Sequence, residues 1–255
     1  MPPSKADSVR TAILLDAPKR GSTLRGMLQA RSEIAVVVLW AMLVPGALSA
    51  QGSVSGRVTI QEREGEKTKD LATAVIYLES SGGAIGPARE GGSEIAMHDK
   101  TFIPHVRVVP AGSVVAFPNQ DPFRHNVFSN SSPGPFDLGL TPRGESSKNQ
   151  FRKAGVYAIF CNIHSRMSAF VVAVASPYYT QPGADGSFTI PSVPAGRYVL
   201  HAWHERGGET TQALDLPATG LAGLNAVLDA RGYRPSQHKN KFGQDYAASD
   251  DDERY

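Results

Sequence analysis

Phe160-Cys161-Asn162-Ile163-His164-Ser165-Arg166-Met167 closes a β-prone run, Gly155-Val-Tyr-Ala-Ile-Phe160, with the chain's single cysteine, a histidine three residues on and a methionine three further. A thiolate, an imidazole and a thioether on one tight loop are the soft and borderline ligands that suit an ion cycling between Cu(I) and Cu(II). The loop supplies three donors, so a fourth must come from elsewhere. The candidate is His125, in Asp121-Pro-Phe-Arg-His-Asn-Val-Phe-Ser129, upstream of the strand that ends at the cysteine. Two histidines and a cysteine in a plane, with a weak axial methionine, form the blue-copper arrangement. The bland alternatives are a buried core thiol for Cys161, a core methionine for Met167 and a surface loop histidine for His125. Against the first stands the spacing: His at +3 and Met at +6 of a sole cysteine is an improbable coincidence in a chain with seven histidines and five methionines.

Outward from this loop the pattern is β throughout. Phe102 to Val109 and Val114 to Phe117 alternate or run apolar over strand-like lengths, with a Pro110-Ala-Gly112 turn between them. Asn130 to Pro135 and Thr141 to Lys148 are rich in turn formers. No segment here has helical periodicity.

In these residues the segment 93–176 resembles the cupredoxins, in particular the plastocyanin and amicyanin group. The parts arrive in that family's order: Lys100-Thr-Phe-Ile-Pro-His-Val-Arg-Val-Val-Pro-Ala-Gly112, then Val114 to Asp121, His125-Asn126, Gly155 to Cys161, and the short ligand loop. The resemblance implies a Greek-key β-sandwich holding one type 1 copper ion, with His125, Cys161, His164 and Met167 as ligands, and one-electron transfer between redox partner proteins. It also implies that Asn126 ties the two ligand loops together; in an electron carrier the solvent-side edge of His164, mid-loop between two ligands, is the natural electron exit. Asn162 departs from the Ser, Thr or other small polar group common in relatives, which leaves that tie open. His98 and His105, on the run entering the segment, read as structural.

The flanks resemble a second family, the carboxypeptidase regulatory-like or transthyretin-like β-sandwich. Its first two elements match residues 56 to 78. Its Asp-x-Gly-x-Phe and Pro-x-Gly-x-Tyr-x-Leu elements match 185 to 200, with Asp185-Gly186 marking a tight turn. Two organisations stay open: one sandwich assembled from 51–85 and 177–230 with the cupredoxin-like segment inserted, or two sandwiches in series. Between the runs Val54–Ile60 and Ala74–Leu78, the polar stretch Gln61 to Asp70 reads as a hairpin loop, and a glycine-rich linker runs to Gly92. Residues 201 to 204 place His201 and His204 without a shared face, so no second metal site is expected there. From 231 to 255 apolar residues thin out, and an unordered tail is expected.

Residues 1–50 read as a signal peptide, with an apolar core Ile34 to Val44 and small residues Ala47 to Ala50 as its cleavage site, or else as an uncleaved anchor. Without them, 20 of the 26 basic and 21 of the 24 acidic side chains remain, so the basic balance belongs to the leader and nucleic-acid binding is not expected. A lone cysteine in an exported protein is a liability unless buried or metal-held. There is no Gly-x-Ser-x-Gly elbow, phosphate loop, His-Glu-x-x-His or His-x-His pair. The chain therefore reads as a non-enzymatic, periplasmic or otherwise exported electron carrier with no stable membrane span after processing. The alternative is a copper transport or storage protein.

Overall fold

The computed structural model describes residues 51–80, 82 and 93–246. The expected leader, most of the glycine-rich linker and residues 247–255 lie outside the described residues. Every regular element among the described residues is a strand except one 3-10 turn, Leu71–Thr73. The chain is all-β, with strands grouped into several sheets.

Strands from both ends of the described chain share two sheets. In one, Gln51–Gln61 lies between Ser187–Pro194, antiparallel, and Leu221–Asp229, parallel. In the other the order is Tyr179–Thr180, Val75–Ser80, Gly196–His204, Gly208–Leu216. Alternation decides which faces meet: Val54, Val58, Ile76, Leu78, Phe188, Ile190, Leu200 and Leu228 all point into one core and are buried. Gly56 is required for the parallel pair, because a Cβ there would run into the carbonyl of Leu224. The expected tight turn is present, with Gly186 at φ 81° and its N–H bonded to Gly183 O at 2.9 Å.

The hairpin expected across Gln61 to Asp70 does not form. Gln51–Gln61 and Val75–Ser80 belong to different sheets, so the polar stretch crosses from one layer to the other. Its acidic residues explain the crossing: Arg206 makes paired hydrogen bonds to Glu62 at 2.7 and 2.8 Å and to Asp70 at 2.9 and 2.6 Å. Bidentate guanidinium–carboxylate geometry is directional and strong.

Residues 93–176 form the intervening layers. A five-stranded sheet runs Val106–Pro110, Ser168–Val174, Gly155–Phe160, His125–Ser129, Phe136–Thr141, and a three-stranded sheet runs Ser146–Gln150, Val114–Pro118, Ser93–Glu94. Between them Phe102, Val115, Phe117, Val127, Phe151, Ile159 and Val171 pack with Cys161 and Met167. A third, smaller cluster of Val75, Val106, Val172, Val174 and Trp203 joins the two sets of sheets. His105 spans the same junction, 3.1 Å from Ser168 O through Nδ1 and 2.6 Å from Glu205 through Nε2.

Residues 231–246 of the expected tail lie among the described residues. Although poor in apolar residues, this segment follows a defined path, held by Tyr233 Oη to Glu205 at 3.3 Å, by Lys241 Nζ to Asp137 at 2.6 Å, and by the His238 ring stacked on Phe160. Aromatic and charged groups order it where a hydrophobic count finds nothing.

Candidate metal centre

Strand pairing brings the donors together. Gly155–Phe160 and Ser168–Val174 are antiparallel with Phe160 opposite Ser168, so Cys161–Met167 is the connection between them. It is pinched shut by Cys161 N–H to Met167 O at 3.2 Å and Met167 N–H to His164 O at 3.1 Å. On the other side Phe160 pairs with Phe128, which sets His125, the first residue of His125–Ser129, beside Cys161.

His125 Nδ1 lies 3.9 Å and His164 Nδ1 3.6 Å from Cys161 Sγ. These three donor atoms lie within 4.8 Å of one another, and all three side chains are buried. A first-row ion bonded at about 2.3 Å to sulfur and 2.0 Å to nitrogen, at roughly trigonal angles, needs sulfur–nitrogen separations of about 3.7 Å. The donor set fits such an ion. Met167 is fully buried on the same loop, in the core cluster that contains Cys161.

Groups behind the donors orient them. His125 Nε2 donates to Asp121 Oδ2 at 2.7 Å, which leaves the Nδ1 lone pair facing Cys161. Burial opposes ionisation of Asp121, but the Lys100 amide, His125 and the Asp99 amide outweigh it and hold the carboxyl below its ordinary range. Asn119 fastens this corner, donating to Phe123 O at 2.7 Å and Thr141 O at 2.9 Å and accepting from Asp121 N–H at 3.0 Å. Burial pushes the His125 imidazole below the usual histidine range, so it stays neutral and free to ligate. Burial also pushes the Cys161 thiol up, against the amides of Asn126, Ile163 and His164, which favour the thiolate.

Asn126 does not tie the loops by its side chain. Its amide Nδ2 donates to Asp137 Oδ1 at 2.7 Å and Gly139 O at 2.8 Å, on the neighbouring strand, and the link to Cys161 runs through the Asn126 backbone amide. Asn162 instead accepts from Lys241 N–H at 2.9 Å. The His164 ring is only 5% exposed, with the Phe123 ring centroid 5.8 Å away, so little of its edge reaches solvent.

The remaining histidines have structural partners. His201 stacks on Tyr77 at 4.4 Å and meets Glu209 at 3.0 Å, while His204 contacts Thr73 Oγ1 at 3.0 Å and accepts from Arg206 N–H. His98, Asp99 and Asp121 form a second group with nearby donor atoms, but the Asp121 carboxylate is already taken by two amides and His125.

No family model and no curated protein matches the chain. Solved structures do match over part of its length. A purple cupredoxin from Nitrosopumilus maritimus is 20% identical, covering 32% of this chain and 99% of its own, with a TM-score of 0.30. Amicyanin from Paracoccus versutus is 18% identical over 38% of this chain and 98% of its own, with a TM-score of 0.31. A copper-containing nitrite reductase from Thermus scotoductus is 22% identical over 46% of this chain, at a TM-score of 0.32, and this chain spans only 28% of its length. These are partial similarities at low identity, and they assign no activity. No helix among the described residues is long and apolar enough to cross a membrane.

Proposed function

We propose that the chain is an exported type 1 copper protein that carries one electron at a time between redox partner proteins. The observation that carries this reading is the convergence of His125 Nδ1, His164 Nδ1 and Cys161 Sγ in one buried cluster, with both Nδ1 atoms within 3.9 Å of the sulfur. Bound copper would supply a Cu(I)/Cu(II) couple. His125, Cys161 and His164 would hold it, with Met167 on the same loop as the fourth donor. Asp121 fixes the tautomer of His125, and the loop bonds between Cys161, His164 and Met167 keep donor positions constant, so little has to move when the charge changes. The transthyretin-like flanks are read as a docking or spacing module without chemistry of its own, and no substrate turnover is assigned to the chain.

The test is electron exchange under chelator challenge. The copper-loaded protein should exchange electrons rapidly with a small redox mediator or cytochrome while retaining its metal. Rapid release of copper to a metal-free acceptor protein, with slow electron exchange, would favour the transport or storage reading.

A further inference from the structure

Residues 237–246 cross the outer side of the ligand loop, where three consecutive residues of the ligand strand and loop are each gripped by one group from the tail. Phe160 is covered by the His238 ring, with centroids 4.3 Å apart and planes 18° from parallel. Cys161 accepts, at its backbone carbonyl, a hydrogen bond from Tyr246 Oη at 2.6 Å. Asn162 accepts, at Oδ1, the Lys241 N–H at 2.9 Å. A fourth contact reaches the other half of the centre. Lys241 Nζ pairs with Asp137 at 2.6 Å, and the other oxygen of that carboxylate accepts from Asn126, the neighbour of His125.

The tail is braced for this role. Asn240 Oδ1 accepts from the amides of Phe242 and Gln244, both at 3.0 Å, and Asn240 N–H donates to Gln244 O at 2.8 Å. The turn that presents Lys241 and carries the chain on to Tyr246 is therefore closed by its own bonds. The departure at Asn162 acquires a purpose here, because its carboxamide oxygen is the group that meets the Lys241 amide.

We propose that residues 237–246 are a strap that fixes the copper loop from outside, with Tyr246 and Asn162 as positioning residues that slow metal loss and set the reduction potential. This rests on the copper reading for the metal it retains, and on its own contacts for the constraint it exerts. The Tyr246 hydroxyl holds the main chain of the ligating cysteine in place. Its O–H dipole also points its positive end toward that residue, which favours the more electron-rich, reduced state. Removing the hydroxyl should therefore loosen the loop and lower the potential.

The experiment compares full-length wild type with Tyr246→Phe, Asn162→Ala and the double variant. Near-UV circular dichroism checks that each is folded. Copper loss to a chelator should quicken by roughly three- to tenfold per lost hydrogen bond. The midpoint potential of Tyr246→Phe should fall. In the metal-free protein, amide hydrogen exchange across Ile163 to Ser165 should quicken. Wild-type values for copper loss, potential and exchange in the folded double variant overturn the strap. Faster copper loss with an unmoved potential and unmoved amide exchange overturns the positioning role. If wild type takes up no copper but the variants still quicken amide exchange, the strap stands and the copper reading falls.

Discussion

The ligand end of the intervening sandwich and the core of the flanking sandwich use burial in opposite ways. Eight of the ten buried polar side chains among the described residues, Asn119, Asp121, His125, Asn126, Ser129, Thr141, His164 and Ser165, belong to the first. The flanking core is filled by Val54, Ile76, Leu78, Ile190, Leu200 and Leu228, and its charged groups, Arg206 with Glu62 and Asp70, sit at the rim. Buried polar groups cost stability unless each finds a partner. Partners for Asn119, Asp121, His125 and Asn126 offset that cost, so burial in the first region fixes donors, whereas burial in the second supplies apolar packing.

That contrast breaks most visibly under truncation. Leu200→Ala, deleting a side chain only 2% exposed in the flanking core, should cost about 2–5 kcal/mol in denaturant unfolding while leaving the sulfur-to-copper absorption unchanged. His125→Gln should do the reverse. Its carboxamide N–H keeps a donor for the buried Asp121 carboxylate, which two backbone amides also hold, so the metal-free protein should unfold within about 1 kcal/mol of wild type, while copper binding is weakened by the loss of an imidazole donor. Equal destabilisation of the metal-free protein by both variants would erase the distinction.

A smaller effect sharpens the boundary between the regions. The Glu205 hydrogen bond raises the His105 imidazole above the usual histidine range, against its burial. A raised value means that this contribution is fully present below the unfolded pKa of about 6.5 and is lost as pH climbs through the folded value. Because the His105 side chain is 39% exposed, solvent screening keeps the contribution to about 1 kcal/mol or less. The melting-temperature gap between wild type and His105→Gln should accordingly narrow between pH 6 and pH 9. A gap that widens over that range contradicts the assignment.

Much of this was legible from sequence because the relevant signals are local. Val54, Val58 and Ile60 alternate inward as period two requires, Gly186 takes the positive φ its turn demands, and the ligand-loop spacing puts Cys161 and His164 on one short connection. What stayed hidden depends on distant partners. The stretch Gln61 to Asp70 looked like a hairpin because nothing local reveals that Gln51–Gln61 pairs with Leu221–Asp229 and that Arg206 gathers Glu62 and Asp70. Asp121 showed no sign of being the partner of His125, although it lies only four residues before it. The contacts of residues 231–246 stay hidden because they are single aromatic and hydrogen-bonding ones, such as His238 on Phe160 and Tyr246 on Cys161, which composition does not register.

The central claim, a thiolate-ligated copper held by His125, Cys161 and His164, is tested most directly by the visible and electron-paramagnetic spectra of the purified protein after copper(II) addition. Wild type should show an intense sulfur-to-copper charge-transfer band, because the Cys161 thiolate is the soft, covalent donor, and Cys161→Ser should lack it. A band that survives in the serine variant, or a wild-type protein that stays colourless with copper(II) bound, would contradict the account.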